Sequence, residues 1–162
     1  MSISRRIALT GLASLLLTAC VGGGANFKTE YDPLGPDATR AWRLAEVRVS
    51  VPNSLTVSEA ETLLPNADIV WREDPAGDRH AQVATIMKNA ITQGAQGLRG
   101  SRRVIIDVTV TRFHALTFRA EQSEADWGVH NIRFTARVLD AATGEVPVGP
   151  VDIRAELPAL SG

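Results

Sequence analysis

Residues 104–113 constrain the fold more than any other stretch of the chain. Val104, Ile106, Val108 and Val110 fall on one side of an extended backbone, and Asp107, Thr109 and Thr111 fall on the other. That period of two, carried by β-branched side chains, is the pattern of a strand with one covered face and one solvated face. A second long run, residues 129–140, repeats it with Ile132, Phe134, Ala136 and Val138. Residues 140–145 (Asp-Ala-Ala-Thr-Gly-Glu) read as a hairpin loop in which Gly144 supplies a positive φ. The return strand, about residues 148–157, buries Val151, Ile153, Ala155 and Leu157. Pro147 and Pro150 donate no ladder hydrogen bond, so it starts late or lies at an edge.

The remaining elements surround this core. Residues 44–51 alternate, with Val47, Val49 and Val51 on one face, and Pro52 stops the strand. Ser58 and Glu61 have the spacing of a capping box and predict a short helical turn to Leu64. Residues 68–71 read as a short edge strand. Asp78 is placed to cap a helix over 79–93, whose apolar stripe is Val83, Ile86, Met87, Ala90 and Ile91, with Gly94 placed to end it. The order predicts an α+β domain: a mostly antiparallel sheet of three to five strands with one main helix on one face. One helix of that length leaves the other face open, so Thr109, Thr111, Arg133, Thr135 and Arg137 are expected on an exposed polar surface.

The 162 residues suit one domain, placed at 42–158, behind a leader (1–19) and a tether (20–41) containing Gly22-Gly23-Gly24, Pro33 and Pro36. Subtracting Arg5 and Arg6 of the leader from the 17 basic residues leaves 15 against 18 acids, a net charge of −3. That balance gives no electrostatic footprint for nucleic acid and no bulk attraction to anionic surfaces. Cys20 is the single cysteine, so no intrachain disulfide can form.

Residues 1–20 carry two positive charges, then an apolar run from Ile7 to Leu17, then small residues, which is the plan of a secretory signal peptide. The run is too short for a stable transmembrane helix, which needs about 20 residues. Its end, Leu17-Thr18-Ala19-Cys20, resembles the lipobox of bacterial lipoproteins. The resemblance implies cleavage between Ala19 and Cys20, diacylglyceryl transfer to the thiol, and a membrane anchor of two or three acyl chains, which binds durably where one chain binds only marginally. Val21, rather than aspartate, follows the cysteine, which favours the outer over the inner membrane by the enteric rule. Residues 4–9 also resemble a twin-arginine export signal, with Ala8 where phenylalanine is preferred, so the export route stays open.

Candidate chemistry is sparse. Arg79 and His80 stand at a helix start, where free amides can hold an anion; the alternative is that Asp78 caps the helix and both basic residues are solvated. His114 and His130 fall near the same sheet end if their strands pair antiparallel, which would allow a two-histidine metal site, although zinc spacing is lacking. Glu59 and Glu61 read as a solvated carboxylate pair. The glycines at 94, 97 and 100 lack the lysine and hydroxyl of a phosphate loop, and no nucleophile elbow is present. No catalytic residue, metal ligand or cofactor is therefore assigned. Trp71 and Trp127 are candidate contact residues.

Residues 68–71 and 78–83, Thr111-Arg112-Phe113-His114, residues 128–132 and residues 140–145 together resemble an uncharacterised family of small Gram-negative envelope lipoproteins, over about 44–157. More loosely the domain is similar to the auxiliary lipoproteins of lipid-transporting ABC systems. The resemblance implies an address and a fold, and no reaction. The expected function is a non-enzymatic binding or assembly module of the envelope that docks a protein partner. The alternatives are an accessory lipoprotein for lipid or solute transport, marked by a greasy groove between helix and sheet, and a small hydrolase or metal protein.

Overall fold

The computed structural model describes residues 28–30, 34, 36–122 and 129–158. Ala19, Cys20 and Trp127 lie outside them. Among the described residues six strands form one sheet: β1 (Lys28–Glu30), β2 (Trp42–Ser50), β3 (Ile69–Val70), β4 (Arg102–His114), β5 (Val129–Asp140) and β6 (Val148–Pro158). The helices are α1 (Pro36–Arg40), α2 (Arg79–Gly94) and α3 (Phe118–Glu121). The fold is α+β, with a larger sheet than the three to five strands expected. The added strand is β1, which pairs antiparallel with β6 upstream of the expected domain start at 42.

The sheet runs β1-β6-β5-β4-β2, with β3 continuing along the free end of β4 beyond β2. β4, β5, β6 and β1 pair antiparallel, whereas β2 and β3 pair parallel to β4. The chain from β2 to β4 is therefore a crossover carrying α2, the connection a parallel pair requires. β6 is not an edge strand, since β1 covers its residues 154–156. Pro150 lies outside that stretch and falls at the irregularity of the β5–β6 pairing between Ala136 and Val138, a position where a proline is tolerated.

Asp78 caps α2 as expected, its Oδ1 accepting from the amides of His80 (3.0 Å) and Ala81 (3.2 Å). Val83 and Met87 are buried and pack with Ile69, Val108, Val110 and Phe113; Ile86 and Ile91 flank them. Ala90 is exposed instead. Gly94 does not end the helix in a left-handed turn: it keeps φ −60°, and the chain tightens into a 3₁₀ turn, Ala95–Gly97. Trp42, Val104 and Val138 form a second buried cluster. Gly144 has φ +74° in the β5–β6 hairpin. Asp140 closes that hairpin by accepting from the amides of Ala142 and Thr143, and Arg102 holds its carboxyl well below the usual carboxylate range.

The helical turn expected at residues 58–64 does not form. Ser58 Oγ accepts from the Ala60 amide, and the glutamates serve other partners. Glu59 and Glu61 bind Arg72, and Glu59 also binds Arg79. These ion pairs pull the loop onto the start of α2.

Candidate functional site

The start of α2 is internally satisfied. Arg79 is buried rather than solvated. Its guanidinium donates to Glu59, to the carbonyls of Asp74 and Pro75, and to Gln82 Oε1. The hydrogen bond from Arg79, with Arg72 beside it, holds the Glu59 carboxyl below its ordinary value. The Asp78 carboxylate already occupies the helix amides, so the anion site considered for Arg79 and His80 is closed. His80 Nε2 lies 3.0 Å from the Leu55 carbonyl. Trp71 is half-buried, its indole donating to Asp74 Oδ2 (2.8 Å) and its ring edge-on to Phe113. Trp71, Phe113, His130, Ile132 and Ala155 line an apolar cleft of about 260 Å³.

The two histidines do reach one end of the sheet, but not one face. His114 sits opposite Asn131, while His130 sits opposite Leu157, one residue out of step. Alternation therefore sends the two imidazoles to opposite faces. Among the described residues, no group of three His, Cys, Asp or Glu side chains is placed to hold a metal ion.

His114 instead belongs to the open face. Its Nε2 donates to the Ala67 carbonyl and its Nδ1 accepts from Arg112 (3.1 Å), which selects the neutral ring. Burial pushes its pKa down, and the Arg112 and Arg133 guanidiniums add to this; the Ala67 hydrogen bond and Asp68 oppose it. The unfolded imidazole takes up its proton near pH ~6.5, before the folded one does. Its contribution to stability is thus complete above that pH and is lost as pH falls towards the lower folded value. Denaturant unfolding between about pH 7.5 and about pH 5.5 is expected to show stability falling with pH, and His114→Asn is expected to flatten the slope. An unchanged slope in the variant contradicts this.

The open face carries four successive rungs of paired residues, and one differs from the rest. Asp107 faces Arg137 and binds it (2.7 Å). Thr109, Thr135 and Asp152 form the next rung, with the Thr135 hydroxyl donating to Asp152 (2.7 Å). His114, Asn131 and Glu156 form the last, with Asn131 Nδ2 donating to Glu156 (2.9 Å). Between these lies Arg112, Arg133 and Arg154, three arginines across three strands, with Glu30 of β1 beyond Arg154. Like charges directly opposite one another are unfavourable in a sheet. Among the described residues no carboxylate pairs with Arg133, and its Nε is buried without a hydrogen-bond partner.

Two cavities meet at Arg133. One, about 780 Å³, is bounded by Thr29, Thr111, Asp152 and Arg154. The other, about 430 Å³, has Arg112, His114, Asn131 and Glu156 as its polar floor, with Leu63, Leu64, Pro65 and Leu116 as an apolar wall. The Thr117 hydroxyl holds that wall by donating to the Thr62 carbonyl (2.9 Å), which ties the start of α3 to the loop before β3.

Residues 42–162 match the model of a family of unknown function, DUF6778. The chain belongs to the DUF6778 family. No curated protein sequence matches it. Two solved dodecamers of PelC from Paraburkholderia phytofirmans resemble this DUF6778 chain at 14% identity. One covers 85% of this chain and 82% of its own with a TM-score of 0.33, the other 83% of each with 0.35. Similarity at that level carries no functional information. In this DUF6778 member, Arg133 was legible as an open-face residue. Arg112 and Arg154 were not, because only the register of three strands aligns them, and the bulge between Val110 and Arg112 sets that register.

Proposed function

We propose that this chain is a lipid-anchored lipoprotein of the bacterial envelope, held by Cys20 on the periplasmic side of the outer membrane. It acts there as a non-enzymatic binding or assembly module. The open sheet face is its docking surface, and the observation that carries this is Arg133: a half-buried guanidinium between two others, with a buried donor unpaired. Binding surfaces keep such costly groups because a ligand satisfies them. The accessory-transporter reading has weaker support, since the apolar cleft at Trp71 holds only about 260 Å³ and ligand pockets generally start near ~300 Å³.

Cys20→Ser is expected to abolish lipid labelling in cells and to leave unprocessed precursor. If the variant is processed and membrane-bound like the parent, the anchor is refuted. For the docking face, a photo-crosslinker at Thr135 is expected to capture an envelope partner, and one at Lys88 on α2 is not. Equal yields from both positions would remove the open face from the account.

A further inference from the structure

Three buried side-chain polar atoms among the described residues have no hydrogen-bond partner: Arg72 Nη2, Asn131 Oδ1 and Arg133 Nε. The last two belong to residues that line the same cavity of about 430 Å³. Asn131 Nδ2 is committed to Glu156, which leaves Oδ1 as an acceptor. Arg133 Nε is a charged donor. A buried group left in this state costs about 1–3 kcal/mol, more when charged, so a ligand that supplies both partners recovers a substantial energy. Such a ligand must present an oxyanion to Arg133 and a hydroxyl donor to Asn131.

The opposite wall specifies the rest of the ligand. Leu63 and Leu64 are exposed, Leu64 at 76%, and Phe118 on the adjoining α3 is exposed at 46%. Among the described residues these are three of the six exposed large hydrophobics, and Leu63 and Leu64 line the cavity. Leu63, Leu64, Pro65, Leu116 and Ala120 give an apolar part to the cavity that Arg112 and Arg133 also line. An apolar lip beside a guanidinium row suits an amphiphile with an anionic head and a hydrocarbon tail. A free anion would leave the leucines in water, a lipid without a phosphate would leave Arg133 unpaired, and a zwitterionic one would set its own cation against the arginine row.

We propose that this cavity binds an anionic lipid with a hydroxylated phosphate headgroup, of the phosphatidylglycerol type. The phosphate oxygens accept from Arg133, with Arg112 lining the same cavity. A headgroup hydroxyl donates to Asn131 Oδ1, and the start of the acyl chains lies along Leu63, Leu64 and Leu116. This rests on the open face being the binding surface, and it adds a lipid subsite at one end of that face, away from Thr135.

The test uses the full chain carrying Cys20→Ser, so that no acyl group of its own competes, titrated by calorimetry with three probes. These are dihexanoyl phosphatidylglycerol below its micelle concentration, dihexanoyl phosphatidylcholine, and glycerol 3-phosphate. Phosphatidylglycerol is expected to bind at least about tenfold more tightly than either other probe: phosphatidylcholine keeps the phosphate but brings a cation beside the arginines and no hydroxyl to Asn131, and glycerol 3-phosphate has no acyl chain to cover the leucines. Arg133→Gln is expected to lose about tenfold for phosphatidylglycerol. Leu64→Ser, at a position too exposed to affect folding, is expected to weaken phosphatidylglycerol and leave glycerol 3-phosphate unchanged. Equal affinity for phosphatidylcholine, equal affinity for glycerol 3-phosphate, no binding, or indifference to Leu64→Ser would each overturn the proposal. If Thr135 still crosslinks a partner when phosphatidylglycerol does not bind, only this inference fails and the docking face stands.

Discussion

Ile69→Ala is expected to destabilise the domain by about 4 kcal/mol, within the range for a buried isoleucine cut to alanine. Ile69 has no exposed surface and packs among Val83, Met87, Val108, Val110 and Phe113, joining α2 to the sheet. Its strand β3 is only two residues long and is flanked by β4 on one edge, so the backbone cannot collapse into the void without losing the pairing of Ile69 with Phe113. The lost transfer energy and the residual cavity therefore add. Leu64→Ala, a few residues upstream at an exposed site, is expected to change stability by less than ~0.5 kcal/mol. Urea unfolding of the two variants checks the contrast, and similar midpoints for both would contradict the placement of the core.

Gly100→Ala is expected to cost about 3 kcal/mol, through crowding of backbone rather than loss of contact. A β-carbon at Gly100 would stand 2.0 Å from the carbonyl carbon of Ala41 and 2.5 Å from the Trp42 nitrogen. These are main-chain atoms and cannot rotate away. Gly100 also donates its amide to the Trp42 carbonyl, and Arg102 donates to the Ala41 carbonyl, at the point where β2 and β4 begin to pair. Relief requires opening that end of the parallel pair, which holds Trp42 against Val104. Thermal unfolding is expected to shift down by on the order of 10 °C. A shift within a degree or two of the parent would show that the approach is looser than this.

The long elements were legible because each carries its own period. Alternating apolar residues in 104–110 and 132–138 mark strands, and Val83, Met87 and Ile91 mark the helix. β1 has three residues, Lys-Thr-Glu, too few for any period, and its pairing with β6 depends on distant sequence. The parallel pairing of β2 with β4 was missed although a strand, a helix and a strand in succession is its signal. The Ser58–Glu61 capping pattern misled for a nameable reason: Arg72 and Arg79 compete for Glu59 and Glu61, and tertiary ion pairs outweigh a local cap. The polar face itself could be read from Arg133, Thr135 and Arg137. Which rung each arginine joins could not, since a bulge shifts register by one residue and changes every cross-strand neighbour.

An Arg133 kept for a ligand costs the unliganded fold stability, and the melting temperature of Arg133→Met without ligand measures that cost. Methionine keeps an apolar stem of similar length while removing the charge between Arg112 and Arg154 and the unpaired buried Nε. The melting temperature is expected to rise by about 2–5 °C, the equivalent of roughly 1 kcal/mol of relieved repulsion and desolvation. A fall of similar size would show that Arg133 holds the sheet together, and the open face would lose its standing as a binding site.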